Sequence, residues 1–203
     1  VIVPSHYLKD KLSDNAQIIR FGVDNEKFSP KNKKEDKEEN KGEEKVKVAY
    51  FGHPGVFKGM NDFVNSSKEF DKSIEVHVFP SRRSEKIDNF IFSRNDKIIL
   101  HDFAENIAEK YNEMDIIVLP YRMKIGTVAN PLVLLEAMSC GKPIITTNYR
   151  FIREIVGDTA LVVKPYSPAK IAKAVNYLIK NKELREEKGK KARERALEKF
   201  NQN

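Results

Sequence analysis

The hydrophobic positions of the chain fall in short runs that alternate with amphipathic stretches. From residue 46 onward, six runs rich in β-branched and aromatic residues have the length of strands, and stretches with helical spacing of apolar residues separate them. The predicted strands are residues 46–51, 74–79, 97–100, 115–119, 143–147 and 160–163. The predicted helices are residues 60–70, 84–92, 104–112, 131–140, 151–156, 168–180 and 183–200.

This regular alternation is typical of βαβ units, which form a parallel sheet with helices on both faces. The run Ile116-Ile117-Val118-Leu119 agrees, because a strand buried on both faces is apolar at every position. The predicted fold is therefore α/β, with an open, doubly wound parallel sheet of the Rossmann-like kind. In such sheets ligands bind beyond the carboxyl ends of the strands, in the first βα turns or where the strand order reverses.

The beginning of the chain differs from this pattern. Residues 1–3 are a predicted strand, and a helix with Ser5 as its N-cap follows, but this unit has no sheet of its own to join. The chain is therefore predicted to be part of a longer protein. Residues 31–47 hold seven lysines and six acidic residues and no apolar residue except Val46, so residues 31–45 are predicted to form a mobile loop. Because its charges nearly cancel, this loop is not predicted to be a nucleic-acid-binding tail.

Composition narrows the functional classes. The 203 residues are 40% hydrophobic and 33% charged, and the longest apolar runs are far shorter than the ~20 residues of a membrane span. One cysteine, Cys140, and four scattered histidines predict neither a disulfide framework nor a zinc site, and they favour a cytoplasmic setting. The net charge of +7 favours an anionic partner such as a phosphorylated molecule, a nucleic acid or an acidic membrane surface, although solubility alone explains it equally well.

A glycine-rich turn follows the first strand of the predicted sheet. Gly52 and Gly59 allow a ligand to approach the backbone, the helix after them favours an anion, and Lys58 adds a point charge. The turn matches neither the Walker motif nor the dinucleotide fingerprint. A phosphate site and an ordinary glycine-rich turn both remain open.

A second candidate lies after the strand 115–119. Asn130 is a predicted N-cap and Pro131 a predicted first helical residue, which leaves the amides of Leu132 and Val133 free to bind an anion. Glu136, one turn further on, is placed to accept hydrogen bonds from neutral hydroxyls such as those of ribose, unless it is an ordinary surface charge. Both turns follow strand ends and therefore share one rim of the sheet. Lys58 and this helix could thus hold one diphosphate from two sides.

The run from Leu135 to Ile145 resembles the donor-site signature of family 4 glycosyltransferases of the GT-B fold. Shorter pieces are similar to the same family in the same order along nearly the whole chain. They are Val3-Pro4-Ser5, Gly22-Val23-Asp24 with Phe28 and Pro30, Gly52 with Lys58-Gly59, residues 115–120, Arg153-Glu154-Ile155-Val156, and residues 189–193 with Phe200.

The resemblance assigns roles to individual residues. The diphosphate-binding lysine of the family falls on Lys58, and the family's usual arginine falls on His53. The acid that contacts ribose hydroxyls in the family falls on Glu136. The acid that contacts the transferred sugar falls on Val128, so this chain departs from the family at a residue that recognises the sugar. The other donor-binding positions implied are Gly52, Gly59, Ala129, Asn130, Leu132 and Val133, with Ala129-Asn130-Pro131 in place of the usual Gly-Phe-Gly.

The nucleotide base is expected near the rim residues His101, Asp102 and Phe103, with residues 80–82 as further candidates. A packing role for His101 and Phe103 is the alternative, since single histidines and aromatic residues at strand ends often belong to the core.

The resemblance implies a retaining transfer of a hexosyl group from a nucleoside diphosphate sugar to an acceptor hydroxyl, with Lys58 as the catalytic group and with no metal or other cofactor. It implies the C-terminal half of a GT-B fold: residues 1–30 as the end of an N-terminal domain and linker, 46–180 as the donor-binding domain and 181–203 as a C-terminal helix. The acceptor, a sugar or a lipid-linked glycan, would then need the missing domain, so the chain alone is expected to lack transfer activity.

Other functions remain open. A nucleotide-sugar epimerase and a non-catalytic α/β binding module share this architecture. The basic final helix could contact an anionic membrane surface, although a solvated helix with charge pairs explains it as well. Nucleic acid is not a predicted partner, because the chain has no helix-turn-helix and no aromatic-basic motif.

Overall fold

The computed structural model describes residues 2–12, 14–31, 45–122 and 131–202. A small parallel sheet at the beginning pairs β1 (Ile2–Val3) with β2 (Gln17–Ile18), and α1 (His6–Leu12) connects the two strands. The prediction that the first strand has no partner is therefore wrong. The sequence did not reveal β2 because two residues, one of them the exposed Gln17, show no periodic pattern.

The main sheet has six parallel strands in the order β5-β4-β3-β6-β7-β8. Its strands are β3 (Val46–Gly52), β4 (Ile74–Pro80), β5 (Ile99–Leu100), β6 (Ile116–Leu119), β7 (Ile144–Thr147) and β8 (Leu161–Val163). Strands β4 and β5 extend the sheet on one side of β3, and β7 and β8 extend it on the other side of β6. The order therefore reverses between β3 and β6, and the predicted doubly wound parallel sheet is confirmed.

Helices cover both faces of this sheet. They are α2 (Met60–Ser66), α3 (Glu85–Phe92), α4 (Ile107–Glu113), α5 (Leu132–Ser139), α6 (Arg150–Val156), α7 (Pro168–Lys180) and α8 (Lys182–Lys199). The helix predicted over residues 60–70 ends at Ser66 and continues as a short 3-10 turn. The hydroxyls of Ser66 and Ser67 donate to the carbonyl oxygens of Phe63 and Val64, and such local hydrogen bonds are typical where helices end.

Two hydrophobic clusters lie on opposite faces of the sheet because successive strand residues point to opposite sides. Ala49 and Phe51 of β3 pack with α4, α5, α6 and α8, whereas Val48 and Tyr50 pack with α2 and α7. Helix α7 packs on the sheet along one apolar face, because its buried residues recur at helical spacing: Ile171, Ala172, Val175 and Leu178. The sheet is thus a rigid support for the loops at its carboxyl ends.

The segment after β2 is attached to the last helix. The Val23 amide donates to the Phe200 carbonyl, and the Arg193 guanidinium donates to the carbonyl oxygens of Phe28 and Ser139. Residues 22–30 therefore pack against both α5 and α8. The loop predicted to be mobile, residues 31–45, falls mostly on residues 32–44, which lie outside the described residues.

Candidate functional site

The glycine-rich turn after β3 lies directly against the end of β6. The turn contains a short 3-10 helix (Val56–Lys58) and then Gly59, whose φ of 80° is left-handed. A Cβ atom on Gly59 would lie 1.8 Å from the carbonyl oxygen of Pro120, the residue that follows β6. Only glycine allows this approach, so the turn carrying Lys58 is placed at the point where the strand order reverses.

A cavity of about 400 Å³ opens at this point, and we call it the first cavity. Lys58 lines one side of it, and the first turn of α5 lines another with Leu132 and Val133. Loops that are more than seventy residues apart in the chain thus meet around one space, as the position of both after strand ends predicts. Its remaining lining residues are Phe21, Tyr50, Phe51, Gly52, His53, Leu119, Tyr121 and Pro131.

A second cavity of about 280 Å³ adjoins the first, with Phe51, Gly52 and Val133 lining both. Glu136 and Tyr111 line its inner part, and the Tyr111 hydroxyl donates a hydrogen bond of 2.9 Å to Glu136 Oε2. Among the described lining residues, Lys58 is the charged group of the first cavity, whereas the carboxylates of Asp102, Glu105 and Glu136 line the second. The two cavities thus share part of their lining and differ in charge.

Lys58 is the principal charge of the first cavity. Its ammonium lies 5.5 Å from the centre of the Tyr121 ring, and burial lowers its pKa. No carboxylate of the described part of the chain offsets that effect. A partly desolvated ammonium in this position gains most from an anionic ligand.

His53 contributes a neutral ring rather than a second charge. Burial lowers its pKa, and the nearby charges of Arg82 and Lys58 lower it further. Its Nδ1 accepts a 3.0 Å hydrogen bond from the Gly55 amide, which is the role of an unprotonated ring nitrogen. At neutral pH His53 therefore does not replace the charge of the arginine that the resemblance places there.

Glu136 is a half-buried carboxyl group. Burial raises its pKa, and the hydrogen bond from Tyr111 and the charge of Lys27 act in the opposite direction. Tyr111 occupies only one of the carboxylate's acceptor positions, so lone pairs remain for hydroxyl donors. This arrangement suits the ribose-binding role that the resemblance implies.

The outer part of the second cavity contains some of the residues expected near a base. Phe103 is 81% exposed at its rim, and Asp102 lines it beside Pro80 and Ser81. Arg83 joins the two loops, because its guanidinium donates to Asp102 at 2.6 Å.

His101, by contrast, is not among the residues that line either cavity. Its ring stacks on Phe79 at 3.9 Å, and its Nε2 lies 2.9 Å from Nδ1 of His77. Phe79 in turn stacks on Phe51, so His101 supports the floor of the second cavity from outside. His101 thus packs against Phe79, and its expected contact with a base stays a prediction.

The beginning of α5 differs slightly from prediction. The helix starts at Leu132, and Pro131 precedes it with an extended ψ of 111°, so the prediction that Pro131 is the first helical residue is wrong by one position. No side chain caps this end. The other expected residues, Val128, Ala129 and Asn130, lie outside the described residues.

Sequence reasoning missed Tyr111 and Tyr121, both of which are buried at the site. Tyr121 follows β6 after one residue, which is where parallel strands place functional side chains and is therefore a usable signal. Tyr111 lies on α4 and gives no such signal. Cys140 is buried at the C-terminal end of α5, and burial raises its pKa to about 12, so it is not a nucleophile of this site.

No group of three or more histidine, cysteine, aspartate or glutamate residues within the described ranges could hold a metal ion. No helix there is long and apolar enough to cross a membrane.

Known proteins similar to this chain include glycosyltransferases. The chain is 26% identical to the capsular polysaccharide biosynthesis glycosyltransferase CapM of Staphylococcus aureus, over 93% of this chain and 49% of that protein. Among solved structures, it is similar to HepE of Anabaena in complex with UDP-glucose, with a TM-score of 0.79 and 15% identity over 99% of this chain and 59% of that one.

A third match is to an isolated domain. The C-terminal domain of the group 1 glycosyl transferase LpcC from Francisella tularensis gives a TM-score of 0.70 at 21% identity, over 90% of this chain and 100% of that one. These two structural likenesses show the fold. The chain spans about half the length of the first curated relatives it matches.

The family model described as "Glycosyl transferases group 1" matches residues 31–195, which is most of the chain. The match includes the Lys58 turn, α5 and every strand of the main sheet. The resemblance found in the sequence is therefore confirmed: the chain belongs to the group 1 family of glycosyltransferases, with the Rossmann-like architecture of the GT-B fold.

Proposed function

We propose that the chain is the donor-binding half of an enzyme that transfers a hexosyl group from a nucleoside diphosphate sugar to an acceptor hydroxyl, with retention of configuration. The observation that carries this proposal is the meeting of Lys58 and the first turn of α5 around one cavity. A half-buried ammonium opposite a helix N-terminus without a side-chain cap suits a diphosphate. The complex of HepE with UDP-glucose supports the same ligand class.

The chemistry follows from where charge develops. When the bond between the sugar and the diphosphate breaks, the leaving diphosphate gains negative charge. Lys58 and the amides of Leu132 and Val133 stabilise that charge, and each such preorganised donor can contribute about 3 kcal/mol. Because these groups supply the positive charge themselves, the proposed reaction needs no metal ion or other cofactor.

The nucleoside occupies the second cavity in this proposal. Glu136 accepts hydrogen bonds from the ribose hydroxyls, and the base lies against Phe103 and the loop at Ser81. Gly52 lines both cavities, and its lack of a side chain lets the ligand pass close to the backbone from one to the other. Ala129 and Asn130 remain proposed contacts of the sugar or diphosphate on the strength of the family pattern.

The acceptor belongs to the part of the enzyme beyond this chain. The curated relatives are about twice as long, so we propose that an N-terminal domain binds an acceptor sugar or a lipid-linked glycan and that residues 1–30 end that domain. A cytoplasmic enzyme that meets its acceptor at the inner membrane face agrees with the basic helix α8. The chain alone would then bind donor nucleotide without transferring sugar.

Calorimetric titration of the 203-residue chain with UDP, GDP and ADP tests the proposal. We expect at least one of the three to bind, and the preferred one identifies the base. No measurable affinity for any of them would overturn the donor-binding assignment and favour a binding module without nucleotide affinity. The neutral His53, which stands where the family has an arginine, agrees with that alternative. An epimerase would convert a nucleotide sugar without any acceptor, which mass-spectrometric or chromatographic analysis would detect.

Replacing Glu136 by glutamine is expected to weaken the binding of uridine without lowering the melting temperature of the chain. Glutamine keeps an acceptor for the Tyr111 hydroxyl but removes a charge that burial disfavours, so the melting temperature at pH 7 should stay equal or rise. Because the folded-state pKa of Glu136 is raised, this difference should vanish at a pH below the usual glutamate pKa, where the native carboxyl is also protonated. Uridine affinity should fall about tenfold with the loss of charged acceptors for ribose. A large loss of melting temperature without a loss of uridine affinity would contradict the assigned role.

A further inference from the structure

An ion pair joins the Lys58 turn to the end of β6. The Arg122 guanidinium donates two hydrogen bonds to the carboxylate of Asp62, of 2.8 and 2.6 Å. Asp62 lies in the first turn of α2, directly after the Lys58-Gly59 turn, and only 2% of its side chain is exposed. A bidentate pair fixes both the distance and the relative orientation of the two groups.

Arg122 also has contacts with other loops at the same rim. Its amide donates a 2.9 Å hydrogen bond to the carbonyl of Phe57, and its carbonyl accepts the hydroxyl of Tyr149 from the loop after β7. Its guanidinium lies 5.2 Å from the ring centre of Tyr166, the one non-glycine residue of the described part of the chain with a positive φ, of 56°. Arg122 therefore connects the loops that follow β3, β6, β7 and β8.

We propose that the Asp62–Arg122 ion pair is a positioning device, which holds the Lys58 ammonium at a fixed distance from the α5 amides so that both contact one diphosphate. This inference rests on the proposed donor site. Both neighbours of Lys58 contact the segment that follows β6. The Phe57 carbonyl accepts a hydrogen bond from the Arg122 amide, and Gly59 lies against the Pro120 carbonyl. The ion pair of Asp62 with Arg122 then fixes the start of α2, the helix that follows. The backbone at Lys58 is therefore held by contacts before it, after it and in the next helix.

The alternative is that the Asp62–Arg122 ion pair serves only to stabilise the fold. The free-energy cost of burying two charges argues against stability as its only role. Two groups taken out of water lose hydration that their attraction only partly restores, so buried ion pairs add little net stability compared with neutral groups of the same shape. Small errors in position, however, cost much where several groups must meet one ligand. Replacing both partners by neutral groups is therefore expected to affect binding of the diphosphate more than folding, whereas Arg122→Gln alone leaves the buried Asp62 carboxylate unpaired and also destabilises the fold.

The test compares UDP with uridine on the 203-residue chain by calorimetry, below the unfolding temperature. The variants are Asp62→Asn, Arg122→Gln and the two combined, which leaves no unpaired buried charge. Arg150→Gln serves as the control because Arg150 pairs with Asp10 between α1 and α6, and neither residue lines the two cavities. We expect each single variant to lose about tenfold in UDP affinity, the double variant to lose no more than a single one, and uridine affinity to change less than about twofold.

Three results would overturn the inference. They are unchanged UDP affinity in both single variants, equal losses for UDP and uridine, and losses that simply add in the double variant. GDP with guanosine, or ADP with adenosine, replaces UDP with uridine if the unsubstituted chain prefers that nucleotide. If this chain binds none of UDP, GDP and ADP, the proposed function itself is wrong, and that outcome is distinct because it needs no variant. Arg122→Lys adds a check, because an ammonium keeps the charge but cannot reproduce the planar geometry in which two guanidinium nitrogens pair with the two Asp62 oxygens, so UDP affinity should remain low.

Discussion

Replacing Lys58 by alanine should lower the affinity of the chain for UDP by about 30- to 100-fold and leave its affinity for uridine within about twofold. A hydrogen bond to a charged group contributes about 1.5–3 kcal/mol, and a tenfold change in affinity corresponds to about 1.4 kcal/mol. Lys58 lines the first cavity and not the second, so only the diphosphate part of the ligand loses a contact. Calorimetry with both ligands measures the difference.

The control for this experiment is Lys68→Ala, which removes an exposed lysine in the 3-10 turn after α2, away from both cavities. Its UDP affinity should match that of the unsubstituted chain.

The UDP affinity of the unsubstituted chain should also fall as pH rises through the pKa of Lys58, which burial lowers in the protein without ligand. The Lys58→Ala variant should lack this pH dependence. Equal losses for UDP and uridine in Lys58→Ala would contradict the role of Lys58 as a diphosphate ligand.

Replacing Gly59 by alanine should reduce the free energy of unfolding by about 2–5 kcal/mol. The residue has φ 80°, which costs an L residue about 1–2 kcal/mol, and the new Cβ atom would lie 1.8 Å from the Pro120 carbonyl oxygen. Backbone atoms rather than a flexible side chain would have to move, which adds about 1–3 kcal/mol. Urea denaturation followed by circular dichroism measures the change.

Gly55→Ala is the matched control for that variant, four residues earlier in the same turn. The φ of Gly55, −73°, suits any residue, and a Cβ there would meet only the ring of His53, which can rotate away with the loss of one exposed hydrogen bond from the Gly55 amide. The expected loss is below about 1 kcal/mol. Similar stabilities of the two variants would show that the close contact between the Lys58 turn and Pro120 does not form.

The parallel sheet could be predicted from the sequence because its longer strands are short runs rich in β-branched and aromatic residues between helical patterns. Strands β3, β4, β6 and β7 are nearly as predicted, and the sharing of one rim by Lys58 and α5 followed from the rule that parallel strands end on the same side. Strand β5 is limited to Ile99–Leu100, half of the predicted length, because only these residues pair with β4.

The missed features depend on contacts between distant parts of the chain. Tyr111 and Glu136 come from different helices, and Asp62 and Arg122 are separated by 60 residues, so neither pair leaves a periodic pattern. The neutrality of His53 likewise depends on the approach of Arg82 and on burial. These are properties of the packed loops rather than of local sequence.

A crystal structure of the 203-residue chain with bound UDP tests the central claim most directly. The account predicts one diphosphate in the first cavity, with a phosphate oxygen about 3 Å from Lys58 Nζ and another about 3 Å from the amide of Leu132 or Val133. A diphosphate bound elsewhere, or held by Lys58 with the α5 amides facing solvent, would contradict it.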